Sequence, residues 1–231
     1  MDKVAERLHL HYCAAEAYAA QHGCELMSVC LRGSQNYGLD TEDSDVDSVA
    51  FVVPVGEALI FDDKISKELH IDDEHCVVKD IRFLYYELCK GSPNMIEALM
   101  TDFYFDNPKY HYAMTKFRIN RERYARINPD QTIDALCGMG FSKTGKNYHA
   151  VKNLEMIQRY IKGEPFKQIL ISNRLAELKM LKAENIRDES ACSQLKEILN
   201  RTKEYTIDEY AKSDLRFYVR MCFDADMLKE A

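Results

Sequence analysis

Two aspartates, Asp45 and Asp47, stand one residue apart at the head of an apolar run, Ser48-Val49-Ala50-Phe51-Val52-Val53. On an extended strand, residues i and i+2 share a face and lie roughly 6–7 Å apart at Cα. Asp45 and Asp47 are therefore expected to point the same way as Val49, Phe51 and Val53, while Val46, Ala50 and Val52 make the other face apolar as well. Such a strand reads as buried on both sides. Two carboxylates at its end are costly unless something positive sits between them. A pair of Mg²⁺ ions suits them, with Mn²⁺ as a substitute: the cation is hard, the ligands are oxygens, and two ions can clamp the attacking and leaving oxygens of a phosphoryl transfer.

Upstream, Gly33-Ser34 follows a short apolar segment, Glu25–Leu31, and opens a turn that runs to Gly38. Glycine lets a backbone approach a phosphate closely, and the start of a helix offers unpaired N–H donors to an anion. The Ser34 hydroxyl adds a further donor. Alone, a Gly-Ser pair is ordinarily a turn and an Asp-x-Asp ordinarily a solvated loop. Bracketing two apolar strands, they form a coherent site for a nucleoside triphosphate beside metal ions.

The elements that must position these residues are legible in the periodicity. Val4, Leu8, Tyr12, Ala15 and Ala19 place a helix over residues 2–22, stopped by Gly23. Strands are expected at Glu25–Leu31, Val46–Val53, Ile65–Ile71 and Cys76–Asp80, with Asp72-Asp73-Glu74 as the turn between the last two. From Ile81 to Lys90 the period becomes helical, and Gly91-Ser92-Pro93 ends it. Beyond about residue 110 the strand signal vanishes. Helices are expected at Thr132–Met139, Lys143–Lys162, Phe166–Lys182, Ala191–Lys203 and Ile207–Leu228, with Gly138-Met139-Gly140 as a turn. The fold class is α+β: a small mixed sheet with helices over residues 1–107, then a helical domain over residues 108–231.

The stretch Gly33-Ser34-x-x-Tyr37-Gly38-Leu39-x-Thr41-x-x-Ser44-Asp45-x-Asp47 resembles the signature of the DNA polymerase β-like nucleotidyltransferase superfamily. More narrowly, it resembles the bacterial and phage group called YcgL or RlaP, proposed to act in RNA repair. Asp80-Ile81-Arg82-Phe83-Leu84, Lys90-Gly91-Ser92-Pro93-Asn94-Met95-Ile96-Glu97-Ala98-Leu99, Arg118-x-x-Arg121-Glu122-Arg123 and Tyr148-His149-Ala150-Val151-Lys152 are similar to that group's later blocks. The resemblance covers about residues 25–185 and implies a polymerase β-like core. It further implies that Gly33, Ser34 and Ser44 hold the phosphates of an NTP, and that Asp45 and Asp47 bind two metal ions. A third carboxylate on a neighbouring strand is also implied. Asp80 fits it, because Cys76, Val78 and Asp80 alternate on one face; Asp72 and Asp73 are rivals, read as turn residues.

Around this core, Lys116, Arg118, Arg121, Arg123 and Arg126 place five cations within eleven residues. They read either as a solvated helix face or as phosphate contacts, to a triphosphate or to an RNA backbone through Arg118, Arg121 and Arg123. Lys143, Lys146 and Lys152 open the strongest helix and are candidates for the nucleotide tail, or a plain exposed face. Asn94 and Glu97 read as helix-capping residues, with a site role as the alternative. His149 reads as packed or catalytic, and His9 and His11 fall on different helical faces. Tyr85, Tyr86, Tyr104, Tyr110 and Tyr112 read as core, or as platforms for bases.

Composition bounds the rest. The 231 residues are 46% hydrophobic and 30% charged, with a net charge of −7, which argues against a whole-surface nucleic-acid binder. Residues 1–140 carry 14 basic and 24 acidic side chains and the remainder 17 and 14. This asymmetry suits a metal-holding part beside a phosphate-facing one. Eight scattered cysteines without a CxxC read as reduced core residues rather than as disulfides or a paired-cysteine zinc site. With no apolar run of membrane-spanning length, a cytoplasmic location is expected. The expected activity is Mg²⁺-dependent transfer of an NMP from an NTP to a hydroxyl, an RNA or tRNA end first, with release of pyrophosphate. The rivals are a protein-AMPylating enzyme of toxin–antitoxin type and an inactive fold used as a binding module.

Overall fold

The computed structural model describes residues 3–42, 44–61, 64–141 and 148–224. In chain order the sheet half comprises α1 (Lys3–Gln21), β1 (Cys24–Arg32), the one-turn α2 (Ser34–Tyr37), β2 (Asp47–Pro54), α3 (Glu57–Phe61), β3 (Ser66–Ile71), β4 (Glu74–Asp80), α4 (Arg82–Cys89), α5 (Pro93–Met100) and β5 (Tyr104–Asp106). A 3₁₀ turn at Pro108–Tyr110 leads into α6 (His111–Ile119), α7 (Arg121–Tyr124), α8 (Pro129–Gly140), α9 (His149–Ile161), α10 (Phe166–Leu170), α11 (Leu175–Glu184), α12 (Glu189–Leu199) and α13 (Glu209–Met221). The strands form one mixed sheet in the order β3-β4-β2-β1-β5, in which only the β2–β4 pair is parallel.

The two faces of β2 are buried by different partners, as its sequence predicts. Val46, Ala50 and Val52 join Cys76 and Val78 beneath α1, whose Leu8, Ala15 and Ala19 close that face. Val49, Phe51 and Val53 belong to the second cluster, which runs without interruption from Met27 through α4, α5 and α9 to Cys222. The helical half therefore packs on the sheet as part of one core. Each fully buried Val or Leu contributes about 1.5–3 kcal/mol, so detaching that half would expose a large share of the core. At one seam the backbones nearly touch: a Cβ on Gly91 would lie 2.4 Å from the Thr132 amide nitrogen. Only glycine fits there, at φ 66°.

Several elements differ from expectation. The single helix expected over Phe166–Lys182 is broken at residues 171–174, where α9 satisfies the exposed backbone. Arg159 donates to the Ile171 carbonyl at 2.7 Å, and Glu155 accepts from the Asn173 amide at 2.7 Å. Gly138 and Gly140 are helical, in the last turn of α8. Glu74 lies in β4 rather than in the turn, and the short β5 and α3 were not signalled at all. No helix among the described residues is long and apolar enough to cross a membrane, and all eight cysteines are free thiols.

Candidate active site at the Gly33 turn

β1 ends at Arg32, and Gly33 follows at φ 98°, a conformation that favours glycine strongly. The turn then winds once as α2 and leaves through Gly38 in the left-handed region. The Asp47 carboxylate lies beside the turn: a Cβ on Gly33 would stand at ordinary contact distance, 3.5 Å, from its Oδ2, so it is the positive φ that favours glycine here. Register agrees, because Asp47 is the cross-strand partner of Arg32. Asp45 sits at the mouth: its carboxylate is exposed, and its carbonyl accepts from Gln35 Nε2 at 2.6 Å. Its charge helps hold the Tyr148 phenol above the ordinary range, after burial as the main cause. The structure thus brings Gly33, Ser34, Asp45 and Asp47 together.

Beneath the turn lies a support that sequence reasoning undervalued. Glu97 of α5 is 3% exposed, and its Oε1 accepts from the Gly33 amide at 2.7 Å and from Asn36 Nδ2 at 2.9 Å. Its other oxygen accepts from the Tyr37 hydroxyl. Glu97 is therefore no cap; α5 begins at Pro93 after Ser92. It also occupies the Gly33 N–H, which leaves the Ser34 and Gln35 amides of the first helical turn, where a helix supplies no acceptor of its own. Lys152 of α9 is 4% exposed, with its Nζ 3.3 Å from the centre of the Tyr37 ring. Burial pulls its pKa down to about 8, opposed by the nearby Glu97 charge.

A second buried carboxylate fixes the approach to Asp47. Glu74, 3% exposed, accepts from the Val46 amide at 2.8 Å and pairs with Arg7 at 2.6 Å. Its other oxygen is 3.1 Å from His11 Nε2, while His11 Nδ1 is 2.8 Å from the Ser48 hydroxyl. Burial lowers the His11 pKa, against the opposing pull of the Glu74 carboxylate, and so favours the neutral ring. The residue between the two aspartates is thereby held from below. The available signal was the alternation Glu74, Cys76, Val78, Asp80, which extends the strand face one step earlier.

Other expected site residues are placed elsewhere. Asp80 pairs in register with Val52, five residues beyond Asp47 on the parallel neighbour, so about 16 Å separates their rows. It also faces the α1 side and is fully buried. There Arg82 donates to it from its backbone amide at 2.8 Å and from Nε at 2.9 Å. Asp80 therefore does not complete a site with Asp45 and Asp47, because the β2–β4 pair is parallel and its far end is the wrong end. Asp73, in the β3–β4 turn, lines a cleft of about 240 Å³ together with Asp45, Ser44 and Glu74. The Ser44 hydroxyl is engaged locally, accepting from the Thr41 amide at 2.8 Å. Lys143 and Lys146 lie outside the described residues.

The arginine cluster is mostly built into the fold. Arg118 donates to both oxygens of Asp106, at 2.5 and 2.8 Å, and lies 3.4 Å from the Tyr104 ring centre. Arg121 reaches the Leu99 carbonyl at 3.5 Å, Arg123 lies 4.1 Å from the Tyr210 ring centre, and Arg126 donates to the Glu164 carbonyl at 2.8 Å. Arg118 and Arg121 nonetheless line a cleft of about 670 Å³ that shares Asp102 with a smaller one, of about 210 Å³, beside Gln35 and Asn36.

No family model matches the chain, and no curated protein does. Among solved structures, a crystal structure described as a nucleotidyltransferase-like protein from Exiguobacterium sibiricum 255-15 is similar over 93% of this chain and 75% of its own. The identity is 12% and the TM-score 0.34. A likeness that slight carries no functional argument.

Proposed function

We propose that the protein is a metal-dependent nucleotidyltransferase. Residues 1–107 would form a polymerase β-like catalytic core, and residues 108–231 a helical domain packed on it. The observation that carries the reading is the seating of Asp47 against Gly33, with Asp45 at the mouth of the same turn. A triphosphate docked on the Ser34 and Gln35 amides and the Ser34 hydroxyl would then lie beside two carboxylates.

The donor set is all oxygen and suits Mg²⁺ or Mn²⁺, with Asp45 and Asp47 as ligands; Asp73 shares a cleft with Asp45, in company with Lys3 and Arg7. Bound there, two such ions would neutralise phosphate charge and make the acceptor hydroxyl more acidic. The residues do the positioning. Glu97 fixes the Gly33 backbone, Glu74 fixes the Val46 backbone, and Lys152 contributes buried positive charge behind the turn. The acceptor hydroxyl gives up its proton to solvent as its oxygen bonds to the α-phosphorus; the bond from that phosphorus to the bridging oxygen breaks, and pyrophosphate leaves with the electron pair.

For the acceptor we take an RNA end, tRNA first, supported by the adjoining clefts that lead from Asn36 towards Arg118 and Arg121. One observation favours a second reading, transfer of AMP to a protein side chain: Arg118 is 11% exposed and bound to Asp106, so its charge is largely spent. The test is incorporation of each α-³²P-labelled NTP, with Mg²⁺, into total RNA and total protein. Label in RNA that disappears with Asp45→Ala/Asp47→Ala supports the first reading, and label in protein the second. No label in either, with RNA binding that survives the double substitution, overturns both in favour of a binding module.

A further inference from the structure

Across the sheet, the row that begins Arg32–Asp47 continues onto the next two strands. β2 and β4 pair Ser48 with Cys76, so one residue earlier His75 stands beside Asp47, and β3 places His70 directly opposite His75. Glu68, two residues before His70 on β3, shares that face. One ligand atom from each of Glu68, His70 and His75 lies within 4.8 Å of the others. The His75 Nδ1 is 3.1 Å from Glu68 Oε1, yet this solvent-shielded nitrogen has no hydrogen bond. That separation fits two ligands of a single ion: donors each about 2.1 Å from a metal stand roughly 3.0–3.4 Å apart at angles near 90–110°. The His70 and His75 rings already meet edge to face, 4.9 Å between centres.

We propose that Glu68, His70 and His75 form a site for a borderline-soft divalent ion of the Zn²⁺ type, with a position left open to water or an anion. Two imidazoles and one carboxylate select such ions over Mg²⁺. The site is separate from the carboxylates of the transferase reading and does not depend on that reading. It would clip the exposed edge strand β3 to β4 and set positive charge one strand, about 4.8 Å, from Asp47.

The test is calorimetric titration of the full chain with Zn²⁺ in excess Mg²⁺, repeated for His70→Ala, His75→Ala and Asp45→Ala. One equivalent is expected to bind the wild type and Asp45→Ala alike, and at least ~10-fold more weakly in each histidine variant. The ion should raise the melting temperature of the wild type but not of His70→Ala, whose exposed side chain leaves the fold intact. Bound Co²⁺ should show d–d bands without thiolate charge transfer. Absence of saturable binding, binding as strong as the wild type's in either histidine variant, displacement by Mg²⁺, or a thiolate band would each overturn the site.

Discussion

At one end of the parallel β2–β4 pair, Asp80 is sealed: fully buried, on the α1 side, with its oxygens taken by Arg82 two residues on. At the other end Asp45 is exposed and Asp47 half-buried, against a turn whose positive φ favours glycine. Both ends carry aspartate at a strand terminus, and sequence alone treats them alike. The difference lies in what neutralises the charge. Asp80 brings its own guanidinium, so its role is to tie β4 to α4. Asp45 carries no such dedicated partner and stands exposed at a cleft that it shares with Asp73, Lys3 and the Arg7–Glu74 pair. A buried carboxylate with an internal partner reads as architecture, and an exposed one beside a strained turn as chemistry.

The largest expected effects separate the two ends. Asp80→Ala removes the buried partner that holds both the Arg82 amide and its guanidinium and should cost about 3 kcal/mol of stability, read by chemical denaturation. Asp45→Ala and Asp47→Ala should remove transfer by at least ~10³-fold while changing stability by less than about 1 kcal/mol. Next comes Glu97→Gln. It disturbs charge-assisted hydrogen bonds to Gly33, Asn36 and Tyr37 and should cost about 2–3 kcal/mol, with a raised KM for NTP. Gly33→Ala is smaller, about 1–3 kcal/mol from the positive φ, and loses activity beyond what its unfolded fraction explains.

Lys152 gives the subtlest test, through pH. Its folded pKa, about 8, lies below the ordinary 10.5, so between those values the unfolded chain binds more protons. The cost of burying the charge is therefore fully present below pH 8, and its contribution to stability improves as pH rises from 8 to 10.5. Binding should move the other way. Once Lys152 loses its proton the turn loses positive charge, so KM for NTP should rise above about pH 8. Lys152→Met should have the high KM at every pH, and a pH-independent KM in the wild type would deny Lys152 this part.

How much of this was legible depended on range. The helix over α1, the four main strands and the two-sided burial of β2 follow from local periodicity. So does the pairing of the Gly33 turn with Asp45 and Asp47, because one hairpin-like connection joins them. What failed needed register. Nothing local says that β4 runs parallel to β2, and that direction sends Asp80 to the far end and Glu74 to the near one. Glu97 lay hidden because its partner, the Gly33 amide, is sixty-four residues away. The arginines of 116–126 looked like a surface until Asp106, Leu99 and Glu164 were seen to hold them. Likewise, a count of CxxC motifs passes over Glu68, His70 and His75, which meet only across a hairpin.

The most direct measurement compares NMP transfer, per folded molecule, in Asp47→Ala and in Asp80→Ala, with the folded fraction of each taken from its denaturation curve. Asp47→Ala is expected to show no detectable transfer, and the folded fraction of Asp80→Ala near wild-type transfer. Transfer that survives in Asp47→Ala, or that vanishes in well-folded Asp80→Ala, would contradict a reaction centre at the Gly33 turn.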